Sequence, residues 1–274
     1  MSEHFRAFSF VDRIHSDEVG QRIAASYHIP EGIDSFPLSL VGEAIGQCAA
    51  MSSMKAVDFR YRPVAGIAGA VEFCGGVKPG DTLELEATLV KADEEAVGYD
   101  GLATVNGEPV VRLRDCLGPM VPMDDFDDPE AVKARYDLLS GEGAEVDVFP
   151  GVPDFPYEAG EIVAGESASG SFQIPESAPF FGDHFPRKPV FPGTLLMNLN
   201  LQFVLALAGT LEGAGTWTPT GMRSMKLRAF MPPGESLSLS AEVEEIEGDK
   251  ATILVQSRRG KRLNSSARVL LQQT

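Results

Sequence analysis

The sequence predicts an α+β fold in which two antiparallel sheets are each wrapped around a long central helix. Three observations predict it. The chain repeats itself, each repeat contains one long apolar segment, and the segments that follow alternate between apolar and polar residues. With 274 residues, the chain is long enough for one large domain or for two of about 100–150 residues each.

An internal repeat divides the chain into two halves. The first pair of matched segments is offset by 145 positions and the second by 155, so the first half lacks ten residues. The missing stretch corresponds to the loop that carries His184 in the second half. We expect repeats at residues 1–123 and 152–274, joined by an acidic connection at residues 124–151. The matched segments are 26–31 with 171–176, 36–40 with 191–195, and 78–83 with 232–237.

Each half is predicted to contain a short strand, a long helix and then several strands. The long helices are expected at residues 37–56 and 192–211, and a shorter helix at residues 129–139 in the connection. Asn106-Gly107, between two alternating runs, predicts a hairpin turn. The later strands are predicted at residues 69–74, 82–91, 98–106 and 109–117, and at residues 221–230, 236–245, 250–258 and 262–272.

The composition argues against a nucleic-acid-binding or membrane-spanning protein. The net charge of −17 would repel phosphate groups. The longest apolar stretch, residues 195–211, is interrupted by Asn198, Asn200 and Gln202, which favours a buried helix over a membrane span. The N-terminus lacks the apolar core of a signal peptide, and we expect a cytoplasmic protein.

The cysteines and histidines predict neither a disulfide nor a metal site. Cys48, Cys74 and Cys116 are scattered without CxxC spacing, and we interpret them as reduced core thiols. The four histidines have no ligand spacing. No metal and no organic cofactor is expected.

The negative charge is uneven along the chain. Residues 1–150 contain 12 basic and 27 acidic side chains, whereas residues 151–274 contain 11 and 13. The cations of the second half are concentrated at residues 187–188, 223–228 and 258–262. Two interpretations stay open: an acidic carrier protein docks on them, or they are solvated ends of strands and loops.

Residues 180–195 carry the most informative pattern in the chain. His184 lies in a loop with three prolines, each of which fixes its own φ and restrains the residue before it. Such a loop should hold an imidazole in place. Pro192-Gly193 then predicts a helix start, where free backbone N–H groups can stabilise negative charge. A positioned base beside N–H donors suits chemistry next to a carbonyl group.

This segment resembles the motif of the hot-dog-fold β-hydroxyacyl-acyl carrier protein dehydratases. The motif consists of Gly-x-His-Phe-Pro, two further spaced prolines, and a helix that carries a carboxylate and then a Gln. The match departs at the carboxylate position, which is Asn198 here, whereas Gln202 is kept. In the first half, residues 10–14, 43–47 and 77–81 also resemble the family. The resemblance implies that residues 10–14 form the opening strand. The resemblance implies a hot-dog fold in nearly the whole chain outside the connection.

In that family the dehydratase is a dimer, and each active site combines the His of one protomer with the carboxylate of the other. The resemblance therefore implies a fused double hot dog with one site, formed by His184 of the second half and Glu43 of the first. The opposite combination lacks the His loop and has Asn198 in place of the carboxylate.

The resemblance also implies roles for the residues around these two. His184 would remove a Cα proton, and Glu43 would hold or protonate the departing β-hydroxyl group. The Gly193 N–H would bind the thioester oxygen. Gln47, one turn after Glu43, could orient Glu43 or a water molecule. Two aromatic residues, Phe185 and Phe191, either line an acyl tunnel or pack the loop.

The expected activity is dehydration of a β-hydroxyacyl thioester, linked to acyl carrier protein or to CoA, giving the trans-2-enoyl thioester. The alternatives are a thioesterase on the same fold and a non-catalytic acyl-binding or assembly subunit. Isomerase activity is disfavoured, because related isomerising enzymes have Asp at the position of Glu43. The sequence leaves open the chain length, the fatty-acid or polyketide pathway, and whether fused units form a homo-oligomer.

Overall fold

The computed structural model describes residues 4–212 and 215–274. These residues form three α-helices and thirteen strands, and every strand pairing is antiparallel. The helices are α1 (Leu38–Ala56), α2 (Pro129–Ser140) and α3 (Gly193–Ala208). The strands are β1 (Arg13–Glu18), β2 (Arg22–His28), β3 (Tyr61–Pro63), β4 (Ile67–Phe73), β5 (Thr82–Ala92), β6 (Ala96–Val105), β7 (Glu108–Pro122), β8 (Glu158–Val163), β9 (Ser167–Gln173), β10 (Trp217–Leu227), β11 (Ser236–Glu247), β12 (Lys250–Arg259) and β13 (Arg262–Gln273).

One continuous sheet runs through both halves. Its order is β1-β2-β5-β6-β7-β4-β10-β13-β12-β11-β9-β8, and β3 pairs with β7 beside this path. The sequence predicts two separate sheets, but β4 and β10 pair with each other and join them. Gly221 permits the close approach, because a Cβ atom there would lie 2.3 Å from the carbonyl oxygen of Val71.

The strand order is the same in the two halves. From the outer edge to the joining strand it is β1-β2-β5-β6-β7-β4 in the first half and β8-β9-β11-β12-β13-β10 in the second. Strands β4 and β10 therefore lie at the centre of the whole sheet. The strands on either side of this pair follow the same order outward to the two edges.

Helices α1 and α3 provide the centre of the core. Helix α1 packs against β2, β5, β6 and β7, and α3 packs against β10, β11 and β12. The two helices also contact each other, and one cluster contains most of the buried apolar residues of both halves. Helix α1 ends where Asp58 and Phe59 adopt left-handed backbone angles, with φ of 52° and 55°.

The predicted helices are confirmed with small changes at their ends. Helix α3 stops at Ala208, three residues early, and Gly209 follows it. Helix α2 begins at Pro129, and the Asp128 side chain caps it by accepting a hydrogen bond from the Glu130 N–H. The predicted hairpin is also confirmed, because Asn106 and Gly107 both have positive φ.

Two predictions near the first half's strands are wrong. Strand β1 begins at Arg13 rather than Phe10, because the Phe10 N–H donates to Oε1 of Gln47 instead of entering the sheet. Cys74 is exposed just beyond β4, whereas Cys48 and Cys116 are buried as predicted, and all three are unpaired. Among the described residues, no helix is both long and apolar enough to span a membrane.

Candidate active site

The loop before α3 fixes the His184 ring through its own backbone. The His184 N–H donates to the Phe180 carbonyl oxygen at 2.8 Å, and the Val190 N–H donates to the His184 carbonyl oxygen at 3.0 Å. The ring atom Nδ1 lies 2.9 Å from the Val190 carbonyl oxygen. A carbonyl oxygen can only accept, so Nδ1 carries a hydrogen. In the neutral ring, Nε2 is therefore left as the basic atom.

Burial keeps this imidazole neutral. Removal from water lowers the pKa of His184 below its ordinary value of 6.5, while the Glu43 carboxylate and the hydrogen bond to Val190 raise it in opposition. The loss of hydration is the largest of these effects, so the ring is a free base at neutral pH. A neutral imidazole with a free Nε2 is suited to accept a proton.

Glu43 on α1 is held by partners from both halves. Its Oε2 accepts a 2.7 Å hydrogen bond from the Thr194 hydroxyl at the start of α3. Its Oε1 accepts a 3.0 Å hydrogen bond from Nε2 of Gln47, one helical turn later. Both carboxyl oxygens therefore have fixed positions.

Gln47 is itself held by the chain that precedes β1. Its Oε1 accepts from the Phe10 N–H at 2.8 Å, and its Nε2 also lies 3.1 Å from the Phe8 carbonyl oxygen. The amide is thus oriented by the backbone on one side and points its NH₂ group at Glu43 on the other. Gln47 accordingly orients the carboxyl group.

The first turn of α3 brings backbone donors to the same place. Gly193 is the first residue of α3, and an N–H at this position has no acceptor within the helix. A Cβ atom on residue 193 would lie 2.3 Å from Cδ1 of Leu227. Packing against Leu227 therefore favours glycine at position 193.

These groups surround one cavity of about 760 Å³. His184, Glu43, Gln47, Gly193 and Thr194 all line it. The structure thus brings together the His of the second half and the carboxylate of the first. Phe185 and Phe191 also line the cavity, and both are buried. The two rings line the cavity and are also buried in the packing of the loop. Lining a tunnel and packing the loop are therefore compatible roles for them.

Small residues on α1 make room for this cavity. Gly42, Gly46 and Ala50 follow one another at intervals of four and line its wall. At the repeat offset of 155, the corresponding positions of α3 hold Met197, Leu201 and Leu205. Large side chains therefore occupy the equivalent strip in the second half, where Asn198 replaces the carboxylate.

Several site residues escape prediction from the sequence. Thr194 follows the predicted Gly193, but its hydrogen-bond partner, Glu43, is 151 positions away and is recognised only once the two helices are packed together. Tyr99 of β6 lines the cavity, and its hydroxyl lies 3.2 Å from where a Cβ atom on Gly46 would be. Arg62 of β3 lines it too. Among the described residues, no three His, Cys, Asp or Glu side chains are grouped closely enough to hold a metal ion.

The N-terminal segment covers the His184 loop. The Asp183 carboxylate accepts hydrogen bonds from three backbone N–H groups, those of Phe5, Ala7 and Phe8, at 2.5–2.8 Å. The Phe8 ring stands edge-on to the His184 ring, with centres 5.5 Å apart. The first residues of one half therefore cover the His184 ring of the other half.

The second half of the chain is similar to a known dehydratase family, and curated relatives match about a third of the chain. A family model described as ApeI-like dehydratase matches residues 161–266. The 3-hydroxyacyl-[acyl-carrier-protein] dehydratase FabZ of Acetivibrio thermocellus is 36% identical over 85 residues, which cover 30% of this chain and 58% of the relative. The FabZ protein of Macrococcus caseolyticus is 30% identical over 90 residues, covering 32% and 62%. The chain thus spans about three fifths of the length of these relatives.

Solved structures match over nearly the whole chain. A putative oleoyl thioesterase from Lactobacillus plantarum has a TM-score of 0.61 at 9% identity, and the match covers 93% of this chain and 97% of that one. A MaoC-like dehydratase has a TM-score of 0.56 at 13% identity, covering 93% and 98%. A hot-dog-fold protein from Alicyclobacillus acidocaldarius has a TM-score of 0.52 at 12% identity, covering 98% and 97%. At such low identities these likenesses show the fold alone. The chain therefore has the hot-dog fold of these structures, and its second half is similar to a dehydratase family.

Proposed function

We propose that this protein is a lyase that removes water from a β-hydroxyacyl thioester at one site shared by two fused hot-dog repeats. The observation that carries the proposal is the single cavity that contains the His184 imidazole and the Glu43 carboxyl group. The FabZ relatives support the reaction type, because their names give β-hydroxyacyl-carrier-protein dehydration as their activity. The repeats would comprise residues 1–123 and 152–274, with residues 124–151 as the connection.

The reaction begins with proton transfer from the substrate's Cα to Nε2 of His184. Hydrogen bonding of Nδ1 to the Val190 carbonyl stabilises the imidazolium that forms, because that carbonyl accepts a hydrogen bond from either form of the ring. Negative charge develops on the thioester oxygen, and the Gly193 N–H at the start of α3 donates to it.

The Cβ–O bond then breaks, and the hydroxyl group leaves as water with a proton from Glu43. The Thr194 hydroxyl can donate or accept, so it can hold the carboxyl group both before and after this transfer. Gln47 keeps the other carboxyl oxygen in position. Return of the proton from His184 to Glu43 restores the starting state, and no external oxidant or metal is needed to balance the reaction.

The acyl chain would lie along α1. Beyond Glu43, the cavity is lined by Gly46, Ala50, Met51 and Met54. Met54 lies eleven residues after Glu43, so this wall extends about 16 Å along the helix axis. A wall of this length and apolarity suits a flexible hydrocarbon chain.

The carrier would approach the part of the cavity wall that contains Arg228, Arg259 and Arg262. These cations stand out in a chain of net charge −17. They suit the phosphate of a phosphopantetheine arm, which both acyl carrier protein and CoA possess. A cytoplasmic location would fit the free cysteines.

A thioesterase is the second candidate, favoured by the overall likeness to the Lactobacillus plantarum structure. Incubation of the purified protein with a β-hydroxyacyl thioester separates the two, because dehydration produces enoyl absorbance whereas hydrolysis releases free thiol. We expect enoyl formation without thiol release, and its loss in His184→Ala. Thiol release by wild-type protein without enoyl formation would contradict the proposal in favour of the thioesterase. If neither product forms on CoA or carrier substrates, a non-catalytic acyl-binding subunit becomes the better account.

A further inference from the structure

A stack of three planar groups links the two halves beside the cavity. The His184 imidazole lies 4.1 Å from the centre of the Phe185 ring, with the two planes 24° apart. The guanidinium carbon of Arg62 lies 3.8 Å from the same ring centre. One face of a phenyl ring has no room for two planar groups at that distance, so the imidazole and the guanidinium lie on opposite faces.

The guanidinium end of the stack is anchored in the first half and the connection. Nη1 of Arg62 donates to Oδ2 of Asp127 at 3.2 Å, and the two side chains are only 14% and 3% exposed. Nε of Arg62 is buried without an acceptor among the described residues. The ion pair and the Phe185 ring are therefore what hold this group in place.

The Phe185 ring is confined at its edge as well. The Phe126 ring meets it edge-on, with centres 5.5 Å apart, and Val190, Val64 and Val121 complete the cluster. Phe126 also binds the loop through its backbone, since its carbonyl oxygen accepts from the Arg187 N–H at 2.9 Å. Movement of Phe185 would disturb the imidazole stacked on it, because the two residues are adjacent in one short loop.

We propose that Arg62 is a positioning residue for His184, holding the imidazole from the opposite half of the chain through the Phe185 ring. Arg62 also places a buried positive charge near the proposed base. A planar guanidinium stacks on an aromatic face in a way that the Lys ammonium group does not, so the residue type matters as well as the charge.

The charges around His184 determine the sign of the effect. The groups facing it are Glu43 from α1 and Arg62 from β3, and Asp127 lies behind Arg62. Asp183 lies next to His184 but is occupied by backbone N–H groups. The Arg62 charge lowers the pKa of His184, and Glu43 raises it. Removal of Arg62 leaves the carboxylates unopposed, so the His184 pKa should rise.

The test compares Arg62→Met, Arg62→Lys and a control, Arg60→Met. Arg60 lies two residues away but is 59% exposed and pairs with Glu94. The pKa of His184 is measured by NMR on histidine-labelled full-length protein, with its signal assigned as the one missing from His184→Ala. We expect a rise of about one unit in Arg62→Met and no change in Arg60→Met. In Arg62→Lys the pKa should change less, because the charge is kept.

The activity arm rests on the proposed function, whereas the NMR arm does not. In Arg62→Met we expect kcat/KM for dehydration to fall about tenfold, with its acidic limb moved to higher pH together with the NMR pKa. Arg62→Lys should lose activity, but the acidic limb of its kcat/KM profile should stay near the pH of the wild type. An unchanged His184 pKa in folded Arg62→Met would overturn the inference. A shifted pKa in a protein without dehydratase activity would instead count against the proposed reaction.

Discussion

The Thr194 hydroxyl donates a 2.7 Å hydrogen bond to Oε2 of Glu43 and so connects the first turn of α3 to the second turn of α1. The two residues are 151 positions apart in the chain. Gly193, beside Thr194, and His184 before it belong to the same half, so this bond joins the carboxyl group to the rest of the site. We therefore expect Thr194 to be part of the reaction geometry.

Replacement of Thr194 tests this bond. Thr194→Val keeps the shape of the side chain and removes the hydroxyl, and a hydrogen bond to a charged group contributes about 1.5–3 kcal/mol. We expect kcat/KM for dehydration to fall roughly tenfold to hundredfold. Thr194→Ser keeps the hydroxyl and should retain most of the activity. Equal activity in the Val and Ser variants would show that the bond has no part in the reaction.

The pH dependence of kcat/KM reports the protonation of free His184. Burial lowers its pKa below the ordinary value of 6.5. A lower pKa keeps the base neutral at lower pH, so the acidic limb should lie below about pH 6.5. Initial rates at low substrate concentration across pH 4.5–8, each at constant ionic strength, measure it. An acidic limb above pH 6.5 would contradict this, because it would mean that the Glu43 carboxylate raises the His184 pKa more than burial lowers it.

Gly46 is predicted to set which acyl chains fit. A valine there would project into the cavity, where the Tyr99 hydroxyl already lies 3.2 Å from the Cβ position. We expect Gly46→Val to lower kcat/KM for a β-hydroxydodecanoyl thioester at least tenfold relative to the β-hydroxybutyryl thioester. Gly76→Val is the control, because nothing lies within 4 Å of its Cβ position. If the ratio of the two substrates is the same in both variants, the chain does not lie along α1.

Asp12 predicts a measurable change of stability with pH. Burial raises its pKa to about 6, against the hydrogen bond from the His28 N–H. The folded state therefore binds this proton more tightly than the unfolded state, and the stabilisation is lost as the pH rises through about 4 to 6. At pH 7 the buried charge should cost up to about 3 kcal/mol.

Asp12→Asn removes that charge and keeps an oxygen that can accept from His28. The variant should have a higher free energy of unfolding than the wild type at pH 7, and the difference should shrink toward pH 4. Urea unfolding of both proteins at several pH values measures it. A difference that is constant with pH would show that Asp12 does not titrate in this range.

The sequence predicts that His184 and Glu43 lie together, but it does not predict the residues that support them. His184 and Glu43 lie in recognisable patterns, and the ten-residue deletion together with Asn198 indicates which His goes with which carboxylate. The structure brings both residues to one cavity. The assignment of catalytic roles remains a prediction that the experiments above address.

The supporting residues depend on packing that no local pattern encodes. Arg62 lies on a strand of three residues, too short to show any alternation. Asp183 has its partners at the N-terminus, more than 170 positions away. The pairing of β4 with β10 also cannot be predicted from the sequence. The alternation of apolar and polar residues in a strand is the same at the edge of a sheet as in its interior.

The size of the cavity has a sequence signal that can be read only through the repeat. Gly42, Gly46 and Ala50 look like ordinary helix positions until they are compared with Met197, Leu201 and Leu205 of the other half. The comparison then shows which of the two helices has small side chains on this strip.

The most direct test of the account is a comparison of kcat/KM for wild type, Glu43→Gln and Asn198→Asp on one β-hydroxyacyl thioester, followed by enoyl absorbance. The account predicts that Glu43→Gln loses nearly all activity, because the carboxyl group of the shared site is gone. Asn198→Asp should behave like the wild type, because the first half has no His loop to complete a second site. Activity that survives Glu43→Gln but is lost or changed in Asn198→Asp would contradict a site shared between the two halves.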